Sequence, residues 1–288
     1  MLTTIPIYLH LSTNYLLPHR IVLAGAGGVD HDKLCSLADK YLGNLSPSYE
    51  NAAHGVPDLT PAVFTGSEIR VRDDAMPLAH IAMAVETCGW DNADNIALMV
   101  ANTLIGSWDR AMGGGANLPS ILASKSAESN LCHSFQSFNT NYTDSGLWGI
   151  YFVAEPLQID DTVHQIQSEW MRLCNNVTNF EVQRAKNILK ANLLLQLDGT
   201  TPVCEDIGRQ ILCYGRRIPL AELDARIEVR YTFQYYVQLV QRSVDAQTVM
   251  NVCTKYIYDQ CPVVSAVGPV EQLDDYGILR GGMYWVRT

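Results

Sequence analysis

The sequence predicts an α+β fold, and three observations point to it. Alternating or continuous apolar runs of strand length occupy Arg20–Ala26, Glu68–Asp73, Leu78–Val85, Leu131–Asn139, Gly146–Ala154 and Pro262–Gly268. Two of these flank the turn Asn141–Gly146 and read as an antiparallel hairpin. From Asp160 onward helical periodicity dominates instead. The 288 residues suffice for one large domain or two ordinary ones, and 48% hydrophobic with 17% charged residues excludes a disordered or fibrous chain.

Taken in order, Arg20–Ala26 is a compact apolar strand turned by Gly27 and Gly28. Asp30 caps a helix from Asp32 to Tyr41, with Leu34, Leu37 and Tyr41 facing inward. Residues 44–61 are polar, rich in Pro and Asn and without period, so residues 47–62 are predicted to be a linker. Glu68–Asp73 is a half-exposed strand and Leu78–Val85 a more buried one. The stretch Asn92–Asn139 holds an apolar helix through Ala97, Val100, Ala101, Leu104 and Ile105. After it come three glycines, Gly113, Gly114 and Gly115, then a short helix opened by Pro119, then a strand.

Beyond the hairpin, Asp160–Cys174 buries Val163, Ile166, Trp170 and Leu173. Thr178 and Glu181 form a capping box for a long helix through Ala185, Ile188, Leu189, Leu193 and Leu194. Thr201-Pro202 caps another helix ending at Tyr214-Gly215, and Leu220 onward and Ala246–Tyr258 are helical as well. Pro262–Gly268 closes the chain as a buried strand followed by a short tail. An internal echo runs through it. Thr13-Asn-Tyr15 with Ile21–Val29 parallels Thr254-Lys-Tyr256 with Val263–Val270, as two copies of one closing unit would.

A net charge of −10 disfavours nucleic acid and anionic membranes and favours cationic partners, basic peptides among them. Cys35, Cys88, Cys132, Cys174, Cys204, Cys213, Cys253 and Cys261 form no CxxC pair and lie mostly in apolar patterns, as reduced thiols do. No apolar run is long enough for a membrane span. The first ten residues read neither as a signal peptide nor as a mitochondrial presequence.

Catalytic motifs are missing. None of the seven histidines stands in HxxEH or HExxH, and there is no GxSxG, GxGxxG or GxxxxGK[ST]. His133, beside Cys132 and Ser134 on a strand, reads as structural. Asp73 and Asp74 point to opposite faces of a strand end. Glu205 and Asp206 in a first helical turn are explained by the helix dipole. The sequence itself therefore nominates no catalytic residue and no metal ligand. The three glycines read either as a plain surface turn or as a loop that lets the backbone approach a ligand closely.

Long words of the sequence do resemble a known family. Among them are Phe64-Thr-Gly-Ser-Glu-Ile-Arg-Val-Arg-Asp-Asp74, Val100-Ala-Asn-Thr-Leu-Ile-Gly106 and Asn130-Leu-Cys-His-Ser-Phe-Gln-Ser-Phe138. Tyr142-Thr-Asp-Ser-Gly-Leu-Trp-Gly149, Gln196-Leu-Asp-Gly-Thr-Thr-Pro-Val-Cys-Glu-Asp-Ile-Gly-Arg209 and Lys255-Tyr-Ile-Tyr-Asp-Gln-Cys-Pro262 belong with them. They resemble the pitrilysin-type (inverzincin) metalloproteases, in the branch of mitochondrial processing peptidase beta subunits and of core protein 1 of the cytochrome bc1 complex. The likeness runs from about Leu11 to the C-terminus.

That resemblance implies an α+β fold of two similar halves, each a mixed or antiparallel sheet backed by helices, closing on a chamber. Residues 1–46 would be the end of a first, catalytic-type half and residues 63–288 a second, non-catalytic half. The family's zinc motif HxxEH lies in the first half, so no cofactor is expected in this chain and the chain is expected to be inactive alone. Its implied role is chamber wall and contact with an alpha-type subunit, or with core protein 2 on the core-protein reading. Basic presequence peptides would be met through the heterodimer, in the mitochondrial matrix or at the matrix face of the inner membrane. Gly113, Gly114 and Gly115 fall where the alpha subunit has its glycine-rich, substrate-handling loop, which makes them the candidate substrate-facing loop. Residues 229–242 interrupt the family pattern and read as an insertion, and Met1–Leu9 does not follow it. Both departures suit a truncated or alternatively assembled gene product.

Overall fold

A computed structural model describes residues 21–43, 62–115, 118–228 and 244–284. The predicted linker, the first copy's Thr13–Tyr15 and the 229–242 insertion lie outside the described residues. The chain divides into two compact units, one of residues 62–193 with 219–288 and one of residues 1–61 with 194–218.

The larger unit is built on a six-stranded sheet. In chain order, β1 is Glu68–Arg72, β2 Ala79–Cys88, β3 Ser107–Asp109, β4 Ser134–Asn141, β5 Ser145–Ala154 and β6 Val263–Gly268. The spatial order is β1-β6-β2-β5-β4-β3, with β1 parallel to β6 and every other pair antiparallel. The predicted hairpin is β4–β5, in register from Ser134↔Val153 to Asn141↔Gly146.

The helices follow the apolar periodicity. With α1 at His31–Leu42, they are α2 (Asp94–Ile105), α3 (Ile121–Ser129), α4 (Ile159–Asn175), α5 (Asn179–Leu195), α6 (Thr200–Tyr214), α7 (Leu220–Glu228), α8 (Ala246–Tyr256) and α9 (Tyr276–Gly281). Four of them, α2, α3, α4 and α8, pack on one another over a single face of the sheet. Alternation in β2 and β5 aims Ile81, Met83, Val85, Trp148, Ile150 and Phe152 at that layer, all fully buried. Trp148 meets Trp170 of α4 at a ring-centroid distance of 5.4 Å. All five apolar positions predicted for α2 are buried, as are Val163, Ile166, Trp170 and Leu173 of α4. The α+β class, with helices on one side of the sheet, is the architecture observed.

The turn from α4 into α5 is set by polar groups. The Glu181 carboxylate accepts from the Thr178 amide at 2.9 Å and from its hydroxyl at 2.7 Å, while the Glu181 amide donates back to Thr178 Oγ1 at 3.3 Å. This is the predicted capping box. Arg172 joins it, reaching Glu181 at 3.0 Å and the almost fully buried Glu169 at 2.7 Å. Burial alone would raise the Glu181 carboxyl, but the Thr178 donors and the Arg172 guanidinium hold it below the ordinary glutamate range.

Several expectations are corrected. Residues 21–26 form no ladder, because a strand needs a neighbour for its backbone groups and none is present among the described residues of that unit. The turn at Gly27 is present, with φ 92°. Asp30 does cap α1, accepting from Asp32 and Lys33, yet α1 buries no residue, and Leu37 and Tyr41 are 42% and 68% exposed. In α5, Ala185 and Leu189 are buried but Leu194 is 58% exposed. Gly199, not Thr201, is the N-cap of α6, which places Glu205 and Asp206 in the second turn. There Asp206 pairs with Arg209 at 3.2 Å and Arg217 at 2.5 Å, so side-chain ion pairs explain it better than the helix end. The segment after β6 is no plain tail: it carries α9, whose Leu279 is buried in the core.

Gly149 sits so close to β2 that a methyl group there would lie 2.8 Å from Ala84 Cα and collide with the Met83 carbonyl. Gly149→Ala should therefore cost roughly 1–3 kcal/mol in denaturant unfolding. Glu181→Gln should lower stability by about 1 kcal/mol at neutral pH. The depressed Glu181 carboxyl contributes stability above the ordinary glutamate range and loses it as pH falls through its folded-state value. Acid titration of unfolding should thus be flatter in the variant below that range.

Candidate functional site

Among the described residues, no helix packs on the face of the sheet opposite the helix layer. Two rows of side chains cross it in register. One runs Val71, Val267, His80, Val153, Ser134 and Asp109, and the other Ile69, Ser265, Ala82, Tyr151, Gln136 and Ser107. Next to them Ala84 pairs with Gly149, flanked in register by Val263 and Phe138, so the floor is low only over the strip of Ala82, Ala84 and Gly149. Ile69 is 62% exposed and Val71 51%. Near the centre His80 Nδ1 and the Tyr151 hydroxyl share a hydrogen bond of 2.6 Å. The resulting surface is mixed, with apolar ends at β1 and β6 and polar groups toward β4.

The glycine loop lies at the β3 edge of the sheet. Trp108, almost fully buried against Phe135, donates its indole N–H to the Gly113 carbonyl at 3.1 Å. Asp109 accepts from the Ala111 amide at 2.8 Å and opens a single 3-10 turn at Arg110–Met112, which Gly113 closes through Arg110. Gly113 has φ 72° and Gly115 φ 151°, and a methyl group at either would meet open space. Conformation, not crowding, is what demands glycine there. The near end of the loop is pinned through Trp108, and Gly114 lies against Ala127 of α3, where an added methyl group would be 3.5 Å from the Ala127 Cβ.

Beside the loop, Glu155 gathers two side chains. His133 Nε2 lies 3.2 Å and Arg110 Nη1 3.7 Å from its Oε1. The Arg110 amide donates to the His133 carbonyl at 2.9 Å, which ties the 3-10 turn to β4. His133 is thus engaged in a local polar cluster, in keeping with its structural reading. Burial raises the neighbouring Cys132 thiol, partly offset by Ser126 and Arg110, so it is a poor nucleophile. Burial raises Cys88 and Cys253 as well.

The donor set for a metal is wanting. No group of three His, Cys, Asp or Glu side chains that could hold an ion occurs among the described residues. His80 and His133 are engaged with Tyr151 and Glu155, so they do not fit a zinc site, and no step can be drawn through one here. Asp73 and Asp74 likewise act locally, Asp73 on the Ala75 amide and Asp74 on Arg72. The Arg110–Glu155–His133 cluster and the His80–Tyr151 pair escaped the sequence reading. The alternation of Leu78–Val85 did set His80 out of phase with its apolar neighbours, but nothing local marked Glu155.

Similarity to known proteins bears on this geometry. The family profile described as "Peptidase M16 inactive domain" matches residues 10–189. The mitochondrial-processing peptidase subunit beta of Bos taurus is 57% identical over 277 residues, covering 96% of this chain and 53% of that protein. The cytochrome b-c1 complex subunit 1, mitochondrial, of Mus musculus is 53% identical over 278 residues, covering 96% of this chain and 54% of its own length. A chain in the structure of complex III2 from Candida albicans with Inz-5 bound superposes with a TM-score of 0.73 at 29% identity, over 90% of this chain and 57% of that one. The chain spans about half the length of the curated relatives it matches. No helix among the described residues is long and apolar enough to cross a membrane.

Replacing Trp108 by Phe removes the indole hydrogen bond to the Gly113 carbonyl. Amide exchange over Gly113–Gly115 should then speed about fivefold relative to β5, the equivalent of one hydrogen bond of about 1 kcal/mol, read by hydrogen–deuterium exchange.

Proposed function

The chain belongs to the peptidase M16 family, through the domain described as inactive, and on that premise we propose that it is the non-catalytic half of a processing-peptidase beta-type subunit. In this role it walls a chamber that receives basic presequence peptides and contacts an alpha-type subunit, and it does not hydrolyse peptides by itself. The observation that carries the reading is the asymmetry of the sheet. One face is sealed by helices, while the other is a low floor with His80, Tyr151 and Gln136 at its centre. A floor of that kind suits an extended guest passing over it better than a rigid partner that needs an interlocking surface. The glycine loop Gly113–Gly115 at its rim is then the segment that meets the guest. A net charge of −10 is complementary to a basic peptide.

A structural role beside a core protein 2 in the respiratory complex is the second reading. The 53% identity to a cytochrome b-c1 subunit 1 and the fold of the Candida albicans complex III2 chain favour it. Both readings place the protein in the mitochondrion, as the names of the relatives do theirs, and on either one it would work in the matrix or at the matrix face of the inner membrane.

Zinc content and cleavage of a basic presequence peptide should be measured for this chain alone and mixed with an alpha-type subunit. The expected result is neither zinc nor cleavage, with co-elution of the alpha-type subunit. Stoichiometric zinc together with cleavage would overturn the non-catalytic assignment. Recovery with bc1 subunits instead of the alpha-type subunit would move the assignment to the core-protein role.

A further inference from the structure

The sequence holds a single Asp–Gly pair, Asp198-Gly199, and no Asn–Gly pair. It stands in the short connection between α5, which ends at Leu195, and α6, which begins at Thr200. Both residues are exposed, and so are Leu194 and Leu195 just before them, so the turn is solvated and not packed.

The backbone is tied on either side of this pair. The Asp198 amide donates to the Leu195 carbonyl at 3.3 Å, and the Gly199 carbonyl accepts from the Val203 amide at 3.3 Å. Between those ties the groups are loose. Among the described residues, the Asp198 carboxylate takes part in no hydrogen bond or ion pair, and the Gly199 amide donates to no acceptor. Gly199 sits at φ 119° and ψ 159°, which side-chain-bearing residues rarely adopt. Without a Cβ, it leaves its nitrogen open to approach by the Asp198 side chain. Asp144-Ser145, another exposed aspartate before a small residue, is held instead: Asp144 Oδ2 accepts from the Ala62 amide at 2.8 Å.

We propose that Asp198-Gly199 is a self-modification site, at which the aspartate converts slowly to isoaspartate. The Gly199 nitrogen attacks Cγ of the neutral Asp198 carboxyl. The amide proton and the carboxyl hydroxyl leave as water, and the new N–Cγ bond closes a succinimide ring. Water then adds to one of the two ring carbonyls. Cleavage of the bond from the ring nitrogen to the Asp198 carbonyl carbon leaves the chain running through Cγ, which is isoaspartate. Cleavage of the N–Cγ bond restores aspartate. Water leaves and water enters, so the conversion is an isomerisation that needs no oxidant, metal or cofactor.

The product alters the start of a helix. In the isoaspartyl form the main chain gains one carbon just ahead of α6, and the former main-chain carboxyl hangs free as the carboxylate. The Gly199 carbonyl, which receives the Val203 amide as α6 begins, is then displaced, and the first turn loosens. A free isoaspartyl carboxylate is also the group that carboxyl methylation from S-adenosylmethionine acts on, so the modified chain becomes a substrate for that class of repair reaction. The inference stands apart from the processing-peptidase reading, since it uses neither the open floor nor the glycine loop.

The test incubates the whole chain at neutral pH, native and in denaturant. Isoaspartate is located by peptide mapping with electron-transfer fragmentation, and its total is counted by methyl transfer from labelled S-adenosylmethionine with an isoaspartyl methyltransferase. In the native chain, isoaspartate should accumulate at position 198 within about threefold of the denatured rate, while folding should slow position 144 about tenfold or more, as a hydrogen bond on its carboxylate requires. Asp198→Glu, which would have to close a larger ring, should remove most of the methyl-accepting capacity of the native chain and keep its thermal transition. Protection of position 198 by folding of about tenfold or more would overturn the proposal, because the turn would then hold the two groups apart. Equal protection at positions 198 and 144, or unchanged methyl acceptance in Asp198→Glu, would overturn it as well.

Discussion

A methyl group on Gly149 would collide with the backbone of Met83 and Ala84, and this closeness of β5 to β2 fixes the register of the central ladder. Register in a sheet decides which side chains share a face, because a slip of one residue exchanges the faces completely. With Gly149 opposite Ala84, the bulky residues Trp148, Ile150 and Phe152 all turn to the side of Ile81, Met83 and Val85. That side becomes greasy enough to hold four helices. The other receives His80, Ala82, Tyr151 and Glu86 at its centre, with Val71, Val267 and Ile69 toward the β1 edge. Core and open floor are two consequences of one pairing.

The edges follow from the same ladder. β3 is only three residues long, and its Trp108 turns into the core where it can reach the Gly113 carbonyl. A short edge strand ended by a 3-10 turn and glycines is a poor template for further pairing. At the opposite edge β1 is guarded by Arg70 and Arg72, which bind carbonyls of Leu273 and Asp274 and the carboxylate of Glu271. The segment between β6 and α9 is thereby drawn to the sheet edge.

Legibility in the sequence tracked how local the physics is. The α2 stripe, the β4–β5 hairpin and the Thr178–Glu181 capping box were all readable, because each is written within one or two turns of chain. Residues 21–26 look like a strand in composition, yet strand formation depends on a partner that composition does not encode. The Leu37 and Tyr41 face of α1 is apolar in pattern and exposed in fact, for the same reason. At the candidate site the glycines were visible and their conformations confirm the need for glycine. Glu155, which organises His133 and Arg110, was not visible, since it lies 22 residues from the histidine it holds.

What this fold offers chemically is placement, and its polar groups show it. Where buried charge occurs it is closed on itself, as in Glu169–Arg172–Glu181, and His80 and His133 are held by a tyrosine and a glutamate. Groups arranged in that way are already satisfied, so they stabilise a surface instead of reacting on it. Among the described residues, buried acceptors left without a partner lie elsewhere, Asn102 Oδ1, Asn139 Oδ1 and Gln165 Oε1 among them. On the proposed reading, a domain whose open floor guides a guest needs a rigid sheet more than a nucleophile. The helix layer, bought by the register of one glycine, supplies that rigidity.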